Sequence, residues 1–247
     1  MLVDYFVRFL YFFTDKILVA SKGFISKIKS QNVNESKLIY WPQWGEEFEK
    51  VEVLPSRRDL GLPEGFIILF AGNIGTSQAF ETVVEAADKL QYRSEIKWVI
   101  LGDGLKKEWL EKEVERRELK DQVYLLGRRP IEEMPLYYSH ADSLLISLSD
   151  DPIFSLTIPG KTQSCLASGK PIIASINGET AKLVKEANCG ETCEASNVQE
   201  LVLAVDRLTG KSESELEEMG KKAQEYFQEH FLREKLLLSL ENIMETR

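Results

Sequence analysis

Histidine is nearly absent from this chain: there are two in 247 residues, against 31 Lys and Arg and 40 Asp and Glu. His140 lies in Tyr-Ser-His-Ala-Asp just before a strand, and His230 lies at a helix end. Both places suit packing or capping, so no nucleophile, base and orienter constellation is readable and no catalytic residue is assigned. Cysteine is scarce too, with three residues. Cys189 and Cys193 have no third ligand nearby to complete a zinc site, and with Cys165 they read as buried thiols in a reducing compartment. No metal and no cofactor is expected. Basic residues are outnumbered, giving a net charge of −9, which argues against nucleic acid as the main partner. Long apolar runs are also missing. Residues 1–13 are apolar but are broken by Asp4 and Arg8, too short to span a bilayer and unlike a secretory signal. No GxGxxG spacing, solenoid repeat or low-complexity tract occurs.

The chain does have a regular alternation of apolar strands and amphipathic helices. After a polar connector, residues 66–71 form a continuous apolar strand, followed by a loop at 72–78 and a helix with Phe80, Val83, Val84, Ala87 and Leu90 on one face. The unit repeats through strands at 96–101, 123–126, 143–148, 172–174 and 191–194. The intervening helices carry Trp109 and Val114, then Met134, Tyr137 and Tyr138, then residues 179–186. Two closing helices span 212–230 and 233–246. About six strands alternating with helices predict an α/β fold with a doubly wound parallel sheet, because right-handed crossovers leave few other topologies. Ahead of this unit, Leu2, Tyr5, Phe6, Phe9, Leu10, Phe12 and Phe13 cover most of one helix and require burial somewhere. Strands at 17–20 and 37–41 flank a short helix that Ser21 would cap, and the second ends in Trp41-Pro42-Gln43-Trp44.

The stretch 155–171 concentrates the candidate chemistry. Pro159 and Gly160 break the chain and leave the amides of Gly160, Lys161 and Thr162 at a helix start, where Lys161 adds a positive charge and an anion, best a diphosphate, is favoured. The alternative is an ordinary connection whose lysine points into water. Gly72 and Gly75 permit close approach to a ligand, while Asn73, Thr76, Ser77 and Gln78 offer neutral hydrogen-bonding groups. Gly102-Asp103-Gly104 reads as a tight turn with Asp103 capping the next helix, or as a ligand loop. Arg128 and Arg129 suit a base or phosphate, or a plain surface. Asp150 and Asp151 suit sugar hydroxyls, or a turn ahead of Pro152.

Four segments together resemble the carboxyl-terminal half of a GT-B glycosyltransferase of the retaining family 4. They are Phe70-Ala71-Gly72-Asn73-Ile74-Gly75 with Gln78; Leu101-Gly102-Asp103-Gly104; Ala141-Asp142-Ser143-Leu144-Leu145 after Tyr137; and residues 151–161 running on through Gly169-Lys170-Pro171. The last, with Asn177-Gly178-Glu179 after it, is most similar to bacterial fucosamine-transferase-type enzymes of surface polysaccharide assembly. The resemblance implies a Rossmann-like half that binds a nucleotide-sugar, usually a UDP-sugar. Gly72, Asn73, Gly75 and Gln78, with Gly160, Lys161 and Thr162, would hold the diphosphate, Arg128 would lie near the base, and Asp151 with its neighbours near the sugar. Where many members carry an Arg and a Lys in the first loop, this chain has Asn73 and Gln78. Where they carry two Glu, it has Leu156 and Ser164, so ribose contact would pass to Gln163 or Ser164.

The resemblance also implies a division of the chain. Residues 1–36 would be a remnant of an amino-terminal acceptor domain, 37–65 a linker, 66–232 the donor-binding domain, and 233–247 a helix packing back towards the amino-terminal side. The implied activity is transfer of a sugar from a UDP-sugar to a lipid-linked or polysaccharide acceptor, by a donor-binding half that acts with an amino-terminal half in trans or is a truncated product of the same enzyme. The expected location is the cytoplasm or the inner face of the plasma membrane. The competing readings are a non-catalytic nucleotide-sugar-binding or scaffold protein, and peripheral membrane attachment through residues 1–13, against which the thin, weakly basic polar face counts.

Overall fold

The computed structural model describes residues 2–48 and 54–245, with side chains from residue 5 onward. Expectations for Leu2's side chain, for residues 49–53 of the connector and for Thr246 fall outside the described residues. In chain order the elements are α1 (Leu2–Phe13), β1 (Ile17–Val19), α2 (Gly23–Lys29), β2 (Leu38–Tyr40), β3 (Phe66–Ala71), α3 (Phe80–Lys89) and β4 (Ile96–Leu101). They continue with α4 (Lys107–Arg116), β5 (Val123–Gly127), α5 (Met134–His140), β6 (Ser143–Ser147), α6 (Pro152–Ser155), α7 (Lys161–Ala167) and β7 (Ile172–Ser175). The last are α8 (Glu179–Glu186), β8 (Gly190–Cys193), α9 (Val198–Thr209), α10 (Glu213–His230) and α11 (Arg233–Glu245).

Six strands form one parallel sheet in the order β5-β4-β3-β6-β7-β8. Alternation along the central strands splits the core into two layers. Ile67 and Leu69 of β3, with Leu144 and Ile146 of β6, face the layer that holds Tyr138, Leu166, Leu183 and Phe227. Ile68 and Phe70, with Leu145, face the layer that holds Val83, Val84, Leu110, Leu201 and Val205. A sheet buried on both faces accounts for the uninterrupted apolar runs of β3 and β4. The order reverses direction between β3 and β6, so the crevice at their carboxyl ends is the topological switch point, where open α/β sheets take ligands.

Helix α9 is absent from the sequence reading, although Leu201, Ala204, Val205 and Leu208 recur at helical spacing and Asn197 accepts from the Glu200 amide 3.1 Å away as an N-cap. It buries those side chains against the same layer as α3. Ser21 lies one residue ahead of the N-cap Lys22; its hydroxyl accepts from the Gly23 amide at 3.2 Å and donates to the Leu156 carbonyl, tying the amino-terminal segment to the α6–α7 connection.

β1 and β2 pair in parallel with each other and with no further strand among the described residues. Helix α1 beside them leaves Tyr5, Phe6, Phe9, Phe12 and Phe13 exposed, so the burial that its composition demands is not supplied by the described residues. Helix α11 returns to this end: Trp41 Nε1 donates to the Leu236 carbonyl at 3.0 Å and Lys16 Nζ donates to that of Ile243.

Candidate functional site

A cleft of about 1390 Å³ opens at the carboxyl edge of the sheet. One wall is made by the loops after β3 and β4, with Gly72, Asn73, Gly102 and Asp103, and another by the segment after β5, from Arg128 to Pro135. A strap formed by residues 41–48 closes it through Gln43, Trp44, Glu46, Glu47 and Phe48, and Ser164 of α7 reaches it from below. The first two loops touch backbone to backbone. A Cβ on Gly102 would collide with the Gly72 carbonyl, and one on Gly104 would sit 2.5 Å from the Ile74 carbonyl; both glycines have φ near +150°, at 154° and 152°. Asp103 accepts from the adjacent Gly104 amide at 2.8 Å and lies 3.9 Å from Lys107, so it braces its own turn and lines the cleft but does not cap α4, whose N-cap is Lys106. Ser149 donates its amide to the Ser77 carbonyl at 2.8 Å, joining the loops after β3 and β6 at the switch point.

Lys161 does not point into water. Its Nζ is buried without a hydrogen-bond partner, 3.8 Å from the centroid of the Phe70 ring and 3.9 Å from where a Cβ on Gly72 would stand. The ring face gives some cation–π attraction, but burial dominates and pushes the amine down to about 8, with Cys165 one helical turn on acting weakly the other way. Burial likewise pushes the Cys165 thiol up to about 12. A cationic group enclosed behind a glycine, with no counter-charge, is an incomplete ion pair, and an anion reaching over Gly72 would complete it.

The other expected site residues divide. Gly72, Asn73, Arg128 and Ser164 line the cleft. Gln78 is spent on its own loop: its Oε1 accepts from the Gly75 amide at 3.1 Å. Asp151 is exposed and caps α6 by accepting from the Ile153 amide at 2.8 Å. Gly160 faces Gln43, whose Oε1 would be 3.4 Å from a Cβ there. Thr162 departs from the expectation of a free amide, since it donates to the Pro159 carbonyl at 2.8 Å, and its side chain is fully buried. Gln163 is buried under the strap, where its Nε2 donates to the Gln43 carbonyl at 3.2 Å, so of the two ribose candidates only Ser164 faces the cleft. His140 packs with Nε2 2.7 Å from the Pro55 carbonyl, and His230 packs against Tyr226 with ring centroids 4.3 Å apart and planes tilted by 53°. Sequence reasoning missed the strap and the wall at Met134 and Tyr138. The aromatic, proline-containing Trp41-Pro42-Gln43-Trp44 was the available signal for the strap. Among the described residues no group of acidic, His and Cys side chains could hold a metal ion, and no helix is long and apolar enough to cross a membrane.

This sheet, with its switch-point cleft, is the Rossmann-like half of a GT-B glycosyltransferase. A glycosyltransferase structure from Rickettsia africae superposes on 95% of this chain and 65% of its own with a TM-score of 0.80 at 15% identity. A second, Anabaena HepE in complex with UDP and glucose, superposes on 94% of this chain and 63% of its own with a TM-score of 0.78, also at 15% identity. Residues 55–226 match the family described as Glycosyl transferases group 1, and the chain belongs to that family. In sequence it is 25% identical over 212 residues to a Pseudomonas aeruginosa protein named as a probable glycosyltransferase, WbjE, covering 81% of this chain and 51% of that protein. It is 28% identical over 186 residues to WcaI of Escherichia coli K12, provisionally named a colanic acid biosynthesis glycosyl transferase, covering 73% of this chain and 43% of that one. The chain therefore spans about half the length of the curated relatives it matches.

Proposed function

We propose that this chain is the donor-binding half of a retaining family 4 glycosyltransferase that moves a sugar from a UDP-sugar to a lipid-linked or polysaccharide acceptor. The observation that carries the reading is the buried, unpartnered amine of Lys161 behind Gly72 at the switch point. In this reading the diphosphate lies over Gly72, and Lys161, with the amides at Gly160 and Lys161, stabilises the negative charge that grows on it as the bond to the anomeric carbon breaks. Arg128 approaches the base and Ser164 the ribose, both from the cleft lining. The structurally similar Anabaena protein was crystallised with UDP and glucose, and the name given to WcaI places it in colanic acid biosynthesis; both support this donor and acceptor class.

The acceptor side falls to an amino-terminal half, which acts with this chain whether joined to it or separate. The exposed aromatic face of α1 and the two-stranded β1–β2 sheet support that pairing, because an isolated parallel pair buries too little to hold itself. A lipid surface is the other cover for α1, and the reading as a whole implies a cytoplasmic protein or one at the inner face of the plasma membrane.

Thermal shift with UDP-, GDP- and ADP-sugars tests the donor: a ligand at a hundred times its dissociation constant raises stability by about 2.7 kcal/mol. UDP-sugars should give the shift and Lys161→Ala should remove it; no shift with any of them refutes the donor reading. Transfer assays with and without a co-expressed amino-terminal half test the division of labour. Turnover by this chain alone refutes it.

A further inference from the structure

The turn that carries Lys161 is also fastened to the strap. Gln163, two residues on and 1% exposed, donates from Nε2 to the Gln43 carbonyl at 3.2 Å, while its Oε1 is buried with no partner. Gly45 packs so closely here that a Cβ on it would lie 2.7 Å from Gln163 Cβ and 2.6 Å from the ring of Phe227. Its amide donates to the Phe231 carbonyl at 3.1 Å, so the strap is held between α7 and the crossover that leads to α11. Further along the strap Phe48 rests on Tyr138 with ring centroids 5.5 Å apart. The strap is a wall of the cleft, and the Gln163 amide joins it to the helix that bears Lys161.

We infer that Gln163 is a positioning residue: it latches the strap of residues 41–48 to the first turn of α7, so that an anion seated on Lys161 and the position of the strap form one linked equilibrium. Two residues apart on one short helix, Lys161 and Gln163 move together when the turn shifts towards a ligand. The Gln163 carbonyl oxygen, buried under the strap without a partner, can then gain one as the strap resettles. This inference rests on the donor reading of Lys161, and the test separates the two.

The chain carries four tryptophans, at positions 41, 44, 98 and 109. Trp41 is in the strap but outside the cleft lining, and its indole N–H is bonded to α11, so it reports strap movement rather than ligand contact. In 5-fluorotryptophan-labelled protein, saturating UDP should move the Trp41 fluorine resonance. Gln163→Met keeps the side chain's volume without its amide; it should bind UDP within about threefold of the unaltered chain while losing more than half of the Trp41 shift. Gly45→Ala, which wedges the strap off α7 from the other side, should also uncouple Trp41, and it decides the matter if the Met variant does not fold. UDP binding with no Trp41 shift, or an undiminished shift in these variants, overturns the latch alone. Failure of UDP to bind the unaltered chain, read by calorimetry, overturns the donor reading and the latch with it.

Discussion

Replacing Lys161 by methionine should make the chain more stable and worse at holding a diphosphate. Its amine is held at about 8, against 10.5 for an ordinary lysine, because burial removes water from the charged form. The fall from 10.5 to about 8, at about 1.4 kcal/mol per tenfold change in proton affinity, means that the folded chain carries a cost of about 3 kcal/mol wherever the amine is charged in both states, that is, below pH 8. Between pH 8 and 10.5 Lys161 holds more proton in the unfolded chain than in the folded one, so its own contribution to stability rises with pH across that window, while the raised thiols of Cys165, Cys189 and Cys193 pull the other way above pH 9; the difference between parent and variant isolates the lysine. Methionine retains the contact with Phe70 and has no charge to desolvate. Urea melts at pH 7 should therefore find Lys161→Met more stable than the parent by up to about 3 kcal/mol, an advantage that shrinks from pH 8 to 10.5. A charge-assisted bond to phosphate contributes about 1.5–3 kcal/mol, so the same variant should bind UDP ten- to a hundredfold more weakly. In the unaltered chain, UDP binding near pH 8 should take up a proton, visible in calorimetry as a heat that depends on the buffer's ionisation enthalpy. A methionine variant less stable than the parent at pH 7, with an unchanged pH profile, would falsify the account of Lys161 as an uncompensated buried cation.

Two further outcomes follow from the geometry. Gly102→Ala sets a side chain against the Gly72 carbonyl at a left-handed φ of 154°; it should cost at least about 2 kcal/mol in denaturant melts and abolish UDP binding, and near-parental stability would contradict the backbone abutment of the two loops. Phe9→Ser with Phe12→Ser removes two exposed rings of α1; the melt of this chain should stay within about 0.5 kcal/mol while its tendency to self-associate in light scattering falls and complementation by an amino-terminal half is lost. A loss above 1 kcal/mol would mean that α1 is packed rather than waiting for a partner.

The sheet was legible because its strands are buried on both faces, and burial on both faces writes uninterrupted runs such as Phe66 to Ala71. The loops at Gly72 and Gly102 were legible as glycines, and their abutment explains why glycine is needed. Lys161 could be placed at a helix start from Pro159-Gly160, but its enclosure could not, since that depends on Phe70 from a strand some ninety positions earlier in the chain. Thr162 and Gln163 share its helix and face elsewhere, one into the core and one onto the strap, a distinction set by α7's rotation and by Gln43 rather than by their own identities. Helix α9 was available in principle: Leu201, Val205 and Leu208 have the period and Asn197 the cap.

The backbone abutment of Gly72 with Gly102 has a consequence for how such a cleft diversifies. Two adjoining rims of the bowl have no room for a side chain at their meeting points, so they are fixed scaffolding on which substitution is nearly always a loss. Under the proposed donor reading, selectivity is then written on the facing surfaces, by Gln43, Trp44, Glu46, Glu47 and Phe48 and by the segment from Arg128 to Pro135, where side chains of several kinds stand. Under that reading, a library aimed at changing which sugar nucleotide is accepted should vary those side chains and leave the glycines, Gly45 among them, alone.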